Sequence, residues 1–172
     1  MAVLDYIIEM FVGIFTNAAI VIPTVSWIVA QIIKTIVYLV MFKKLDWSRL
    51  FGDGGMPSAH SATVSSLAII VGHACGYGSA EFGLAIMFAI VVMHDALGVR
   101  RETGKQAESL LTIADVIKNY VDELDINLKT EKLKVLVGHT PLQVVLGSAL
   151  GVSVAFIYIG VFRGLLGIGF AF

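Results

Sequence analysis

Five apolar stretches divide the chain: Leu4 to Ile22, Thr24 to Phe42, Ser58 to Cys75, Ser79 to Val99, and Pro141 to about Phe162. A hydrocarbon core of about 30 Å is crossed by roughly 20 apolar residues in a helix, so each stretch predicts a span. Pro23 punctuates the first pair, and the glycine-rich CGYGS turn closes a tight hairpin between the third and fourth. Two polar connections remain, Lys43 to Pro57 and Arg100 to Gly138. The second contains ETGKQAESLLTIADVIKNYVDEL, whose charged and apolar positions predict an amphipathic helix lying at the membrane surface. The pattern predicts an all-α, polytopic membrane helical bundle of about five transmembrane helices plus one cytoplasmic surface helix. It forms one integral membrane domain over residues 1–172, with 100–138 as the cytoplasmic connection.

Composition sharpens this picture. Hydrophobic residues make up 58% of the 172 positions and charged residues 15%, so water is not the main solvent of this chain. Counting alternately through five spans puts the N-terminus and both polar connections on one side. Lys43, Lys44, Arg49, Arg100, Arg101, Lys105, Lys118, Lys129, Lys132 and Lys134 share that side, whereas Arg163 sits opposite. The excess of basic residues predicts that side to be cytoplasmic and the C-terminus to lie outside. Asp5 and Glu9 stand where a signal peptide would be positive, so the first span is expected to be retained. A net charge of -1 without a contiguous basic run argues against nucleic acid as a partner. The single cysteine, Cys75, excludes a disulfide framework and a thiolate metal cluster, and is expected to be a packing residue.

Candidate chemistry collects at three places. In GDGGMPSAHSATVSSLA a glycine turn runs through a proline into small hydroxyl residues at the start of an apolar helix. Free amides at such a helix N-terminus attract an anion, and Gly54 and Gly55 let backbone approach it; Ser58 and His60 lie beside them. In LVGHTPLQVVLGSALG, Thr140 is a predicted N-cap, Pro141 suits the first helical position, and Gln143 completes a capping box. His139 stands just before that helix, where the dipole favours a neutral, nucleophilic imidazole. In MHDALGVRRETGKQA, Asp95 lies near the end of a span with Arg100 and Arg101 at its edge. Lys34 lies too deep in its span to be a simple anchor, although snorkelling would also accommodate it. The topology brings His60, Arg100, Arg101 and His139 to one membrane face, with Lys34 below. Such a cluster suits phosphoryl chemistry, which needs neutralised charge, a nucleophile and an acid.

At these residues the sequence resembles the type 2 phosphatidic acid phosphatase (PAP2) and vanadium haloperoxidase superfamily, and most of all its divergent bacterial and plant branch. The pattern G-G-M-P-S-x-H-S-A is similar to Gly54 to Ala62, D-x-x-G-V-R-R-x-x-G-x-Q-A to Asp95 to Ala107, and G-H-T-P to Gly138 to Pro141. The resemblance implies a PAP2-like core, bacterial plasma membrane as the location, and hydrolysis of a phospholipid or isoprenyl phosphate at the cytoplasmic face. It implies that Lys34, Arg49, Ser58 and one of Arg100 or Arg101 hold phosphate oxygens, with Asp95, Gly54 and Gly55 in support. His139 would become a phosphohistidine, His60 would serve as acid and base, and no metal would be needed. Ala59 stands where the superfamily has a glycine, no proline follows Arg49, and Gln143 occupies the place of a carboxylate that orients the nucleophilic histidine. An amide oxygen still accepts a hydrogen bond there but supplies no charge.

Two other readings are compatible with these residues. Asp95, with Asp53 or Glu102, could hold Mg or Ca in a divalent-metal-dependent phosphatase. Alternatively the protein could bind a lipid phosphate, or assist assembly, with weak chemistry. The pairs Gly147/Gly151 and Gly160/Gly164 have the spacing that packs helices, either within one chain or in a homo-oligomer.

Overall fold

The computed structural model describes residues 3–43, 55–122, 139–165 and 167, and among them every regular element is helical. Helix α1 is Val3–Thr16, α2 Ala18–Phe42, α3 Ala59–Cys75, α4 Ala80–Leu97, α5 Val99–Asp122 and α6 Pro141–Ile157. A π-helical segment, Tyr158–Leu165, continues α6.

Polar side chains at the helix starts explain where these elements begin. Asn17 Oδ1 accepts the Ala19 N–H at 2.8 Å, and Ser79 Oγ accepts the Phe82 N–H at 3.1 Å, each satisfying a donor that the helix cannot. The first break therefore falls at Asn17 and not at Pro23. Pro23 sits buried in the second turn of α2, where its ring removes one backbone hydrogen bond without ending the helix. As a result α1 has 14 residues, about 21 Å at 1.5 Å per residue, which is short of a full hydrocarbon crossing.

Among the described residues, three stretches are long and apolar enough to cross a membrane: Ala18–Phe42, Ala80–Ile117, which joins α4 to most of α5, and Pro141–Val161. Helix α3, with 17 residues, is shorter and sits in the middle, packed on α2, α4 and α6. Its buried face is built from Ala59, Ser61, Ala62, Ser65 and Ser66, small residues that allow neighbouring backbones to come close. The protein is thus an all-α bundle with membrane-spanning helices.

Two packed layers give the helix directions. Ala30 packs with Ala59, Ala62 and Leu150, while Ala18 and Ile22 pack with Ile70, Ala155 and Tyr158. Helix α2 consequently runs antiparallel to α3, and α6 runs parallel to α3. Gly147 and Gly151 face the backbone carbonyls of Ser58 and Ala62, and a Cβ on either would overlap the carbonyl oxygen. This glycine pair therefore packs within the chain, whereas Gly160 has open space around it. The starts of α3 and α6 are drawn together at one end of the bundle, beside the later half of α2.

Cys75, expected in the packing, is exposed, because α3 ends there as the chain turns through Gly76 at φ 93°. Helix α5 follows α4 directly after Gly98. It buries Gly104 and Ala107 and leaves Leu110, Ile113, Val116 and Ile117 exposed, the amphipathic pattern the sequence predicts.

Candidate active site at the starts of α3 and α6

The first half of the site is the turn into α3. Gly55 has φ 93°, a conformation that side chains rarely adopt, and Met56–Pro57 is a cis peptide. Ser58 is fully buried and is the N-cap of α3. Its Oγ accepts the Ser61 N–H at 3.3 Å and the Ser61 hydroxyl at 3.0 Å. His60 follows in the first turn and is half-buried.

The second half is the start of α6. His139 is 3% exposed, and its backbone N–H donates to Ala96 O at 3.1 Å, which ties it to the end of α4. Thr140 and Gln143 form the reciprocal capping box that the sequence predicts. Gln143 Oε1 accepts the Thr140 N–H at 3.1 Å and also faces His139 Nδ1 at 3.2 Å. This double contact determines a tautomer. A backbone N–H can only donate, so the atom it meets must be the amide oxygen, and that oxygen can only accept. His139 Nδ1 therefore carries a proton, and in the neutral ring the lone pair resides on Nε2, the form a nucleophile requires.

One backbone bond joins the halves: the Ser58 N–H donates to Gln143 O at 3.0 Å. The imidazoles of His60 and His139 then stand with ring centroids 6.0 Å apart in an edge-on arrangement. Both lie at helix N-termini, the positive ends of the helix dipoles.

Lys34 comes from α2 and is 5% exposed. Its stem passes over Gly55, where a Cβ would lie 3.1 Å from Lys34 Cγ. Lys34, Gly55 and Gln143 line one cavity of about 350 Å³. Asp95 is half-buried beside Ala96, the residue that anchors His139. Arg101 is exposed on α5. Glu102 is exposed as well, and it is held by Lys105 at 2.6 Å, one turn along the same helix.

The structure thus brings together Lys34, Gly55, Ser58, His60, His139 and Gln143, with Asp95 alongside. Arg49, Asp53 and Gly54 lie outside the described residues, as does the side chain of Arg100. Among the described residues no three His, Cys, Asp or Glu side chains converge as a metal site would require.

Two features escape a reading of the sequence. Gln31 is 6% exposed, and its Oε1 is buried without a hydrogen-bond partner among the described residues. Its position three residues before Lys34 places it on the same side of α2, which is the only signal the sequence offers. The other is the apolar wall of the cavity, where Val37, Tyr38, Met41 and Phe42 follow Lys34 at helical spacing.

The profile of the divergent PAP2 family matches residues 15–154, which include both helix starts. The chain belongs to the divergent PAP2 family. It is also 35% identical over 145 residues to a Bacillus subtilis (strain 168) protein named "Uncharacterized membrane protein YuiD", covering 81% of this chain and 92% of that one. No solved structure matches it. As a member of the divergent PAP2 family, the chain carries the histidine pair on the two helix starts that the family profile spans, with an amide where the resemblance leads one to expect a carboxylate.

Proposed function

We propose that this protein hydrolyses a lipid phosphate or isoprenyl (di)phosphate through a phosphohistidine on His139, at the cytoplasmic face of the membrane. The observation that carries the proposal is the paired contact of Gln143 Oε1 with Thr140 N–H and His139 Nδ1, which holds a proton on Nδ1 and so puts the lone pair of the neutral ring on Nε2. Nε2 attacks phosphorus, the bond from phosphorus to the leaving oxygen breaks, and His60 gives that oxygen its proton. Water then attacks the phosphohistidine, His60 takes the proton of the water, and the P–N bond breaks to release phosphate. Lys34, the positive dipole ends of α3 and α6, Arg49 and one of Arg100 or Arg101 neutralise the phosphoryl oxygens. The cytoplasmic placement follows from the basic residues of the two polar connections.

The test is phosphate release in detergent from phosphatidic acid, phosphatidylglycerophosphate and isoprenyl diphosphate, with EDTA or with magnesium, for the unmutated protein and His139→Ala. Release that survives EDTA and vanishes in His139→Ala is the expected result. Full turnover by His139→Ala would overturn the mechanism, and activity that depends on magnesium would move the chemistry to Asp95 and a divalent cation.

Gln143 favours one further reading, in which a neutral amide leaves the imidazolium unstabilised and the site binds lipid phosphate with little turnover. Tight phosphate-lipid binding without release in any condition would support it.

A further inference from the structure

The cavity that reaches Lys34 follows the last two turns of α2. Its polar end is Lys34 with Gln143, and its wall is Val37, Tyr38, Met41 and Phe42. These four follow Lys34 at three, four, seven and eight residues, so they form one stripe, rising about 12 Å at 1.5 Å per residue. The Tyr38 and Phe42 rings stack along it with centroids 4.6 Å apart and planes inclined by 32°. Gly55 and Met56 complete the lining, and the Lys34 stem passes tightly over Gly55.

We propose that this cavity receives the first carbons of a single apolar chain attached to the phosphate, making the substrate a single-chain alkyl or prenyl phosphate in preference to a diacylglycerol phosphate. The proposal rests on the reading of Lys34 as a phosphate ligand. Its occupant follows from chemistry. A sugar or nucleoside phosphate would bury several hydroxyls and ring nitrogens against a wall of Val37, Tyr38, Met41 and Phe42 whose one polar group is the Tyr38 hydroxyl, a costly arrangement. An alkyl or prenyl chain makes no such demand and packs well against a stacked aromatic pair and a methionine. The cavity volume of about 350 Å³ is near the lower end of small-molecule sites and favours one chain beside the phosphate over a branched glycerol carrying two, with the exposed Met41 and Phe42 opening its outer end.

The experiment uses purified full-length protein in nanodiscs and measures binding of methyl, butyl and hexyl phosphate by calorimetry. These phosphates stay in the aqueous phase and report the cavity without requiring turnover. The expected result is a Kd that falls about two- to fourfold for each added methylene. Val37→Trp, which fills the cavity, should bring hexyl phosphate to the affinity of methyl phosphate in the same variant. Phe42→Ala, at an exposed position that tolerates truncation, should flatten the dependence on chain length. Geranyl phosphate should displace hexyl phosphate at concentrations at least tenfold lower than dioctanoyl phosphatidic acid needs.

Affinities that do not change with chain length would overturn the chain cavity while leaving the phosphate reading intact. Equal competition by dioctanoyl phosphatidic acid would overturn the preference for one chain. If Lys34→Met bound every alkyl phosphate as tightly as the unmutated protein does, the phosphate reading itself would fail. Absence of binding by every alkyl phosphate would overturn both.

Discussion

Replacing Gly151 by alanine adds one methyl group where two backbones touch. The new Cβ would overlap the Ala62 carbonyl oxygen and lie 2.8 Å from its carbonyl carbon and 2.9 Å from its Cα. None of these atoms belongs to a flexible side chain, so the strain is relieved only by moving α6 away from α3. Overpacking of this kind costs about 1–3 kcal/mol, and rigid backbone neighbours place the change at the upper end. Alanine recovers about 1 kcal/mol of helix propensity, leaving a net loss of about 2 kcal/mol. For a chain of this length that lowers Tm by about 4–8 °C. Gly83→Ala is the control, because a Cβ there meets nothing within 4 Å, and it should stabilise by about 0.5–1 kcal/mol. The assay is thermal unfolding of both variants in one detergent. Separation of the helices should also lengthen the 3.0 Å bond from Ser58 N–H to Gln143 O, so activity should fall along with stability. If Gly151→Ala melts at or above the unmutated protein, the close approach of α3 and α6 is wrong.

Gln31→Met should raise Tm by about 2–12 °C, since removing a buried acceptor without a partner recovers about 1–3 kcal/mol and methionine has a similar shape. Gly55→Ala should weaken alkyl phosphate binding, measured by calorimetry, by about fivefold or more, because it strains a residue at φ 93° and crowds the stem of Lys34. Gln143→Glu should raise the rate of phosphate release by about tenfold or more at neutral pH, since the carboxylate keeps the contact with His139 Nδ1 and adds a charge that stabilises the imidazolium.

What was legible in the sequence was local. Ser58, Thr140, Pro141 and Gln143 announce helix starts because capping is a matter of a few consecutive residues, and the structure begins α3 and α6 where they indicate. The break between the first two helices was misplaced because a proline draws attention, although one proline in an early turn removes a single hydrogen bond. Asn17, a quiet polar residue inside an apolar run, ends α1 by capping α2. The spacing of Gly147 and Gly151 declared a helix contact but not its partner, which depends on which backbone faces them in the bundle. The exposure of Cys75 and the lone Oε1 of Gln31 were beyond reach for the same reason. Hydrophobicity along a span does not reveal which face turns inward when lipid and protein interior are equally apolar.

Gln143 links the fold to the proposed chemistry more closely than any other residue. Its side-chain oxygen completes the cap of α6 and faces His139 Nδ1, while its backbone oxygen receives the Ser58 N–H from the start of α3. The cap that starts the helix is therefore also the device that selects the histidine tautomer, and the same residue fixes the distance between the two histidines. A histidine aligned in this way needs no extra structural element, which suits a bundle in which α3 is packed on α2, α4 and α6. A glutamate at this position would keep all three contacts, so the neutral amide is not required by the architecture. What the amide changes is charge alone. It lets the imidazole be oriented while withholding stabilisation from its cation, so in the proposed mechanism position 143 separates the ability to hold a phosphate from the speed of turning it over.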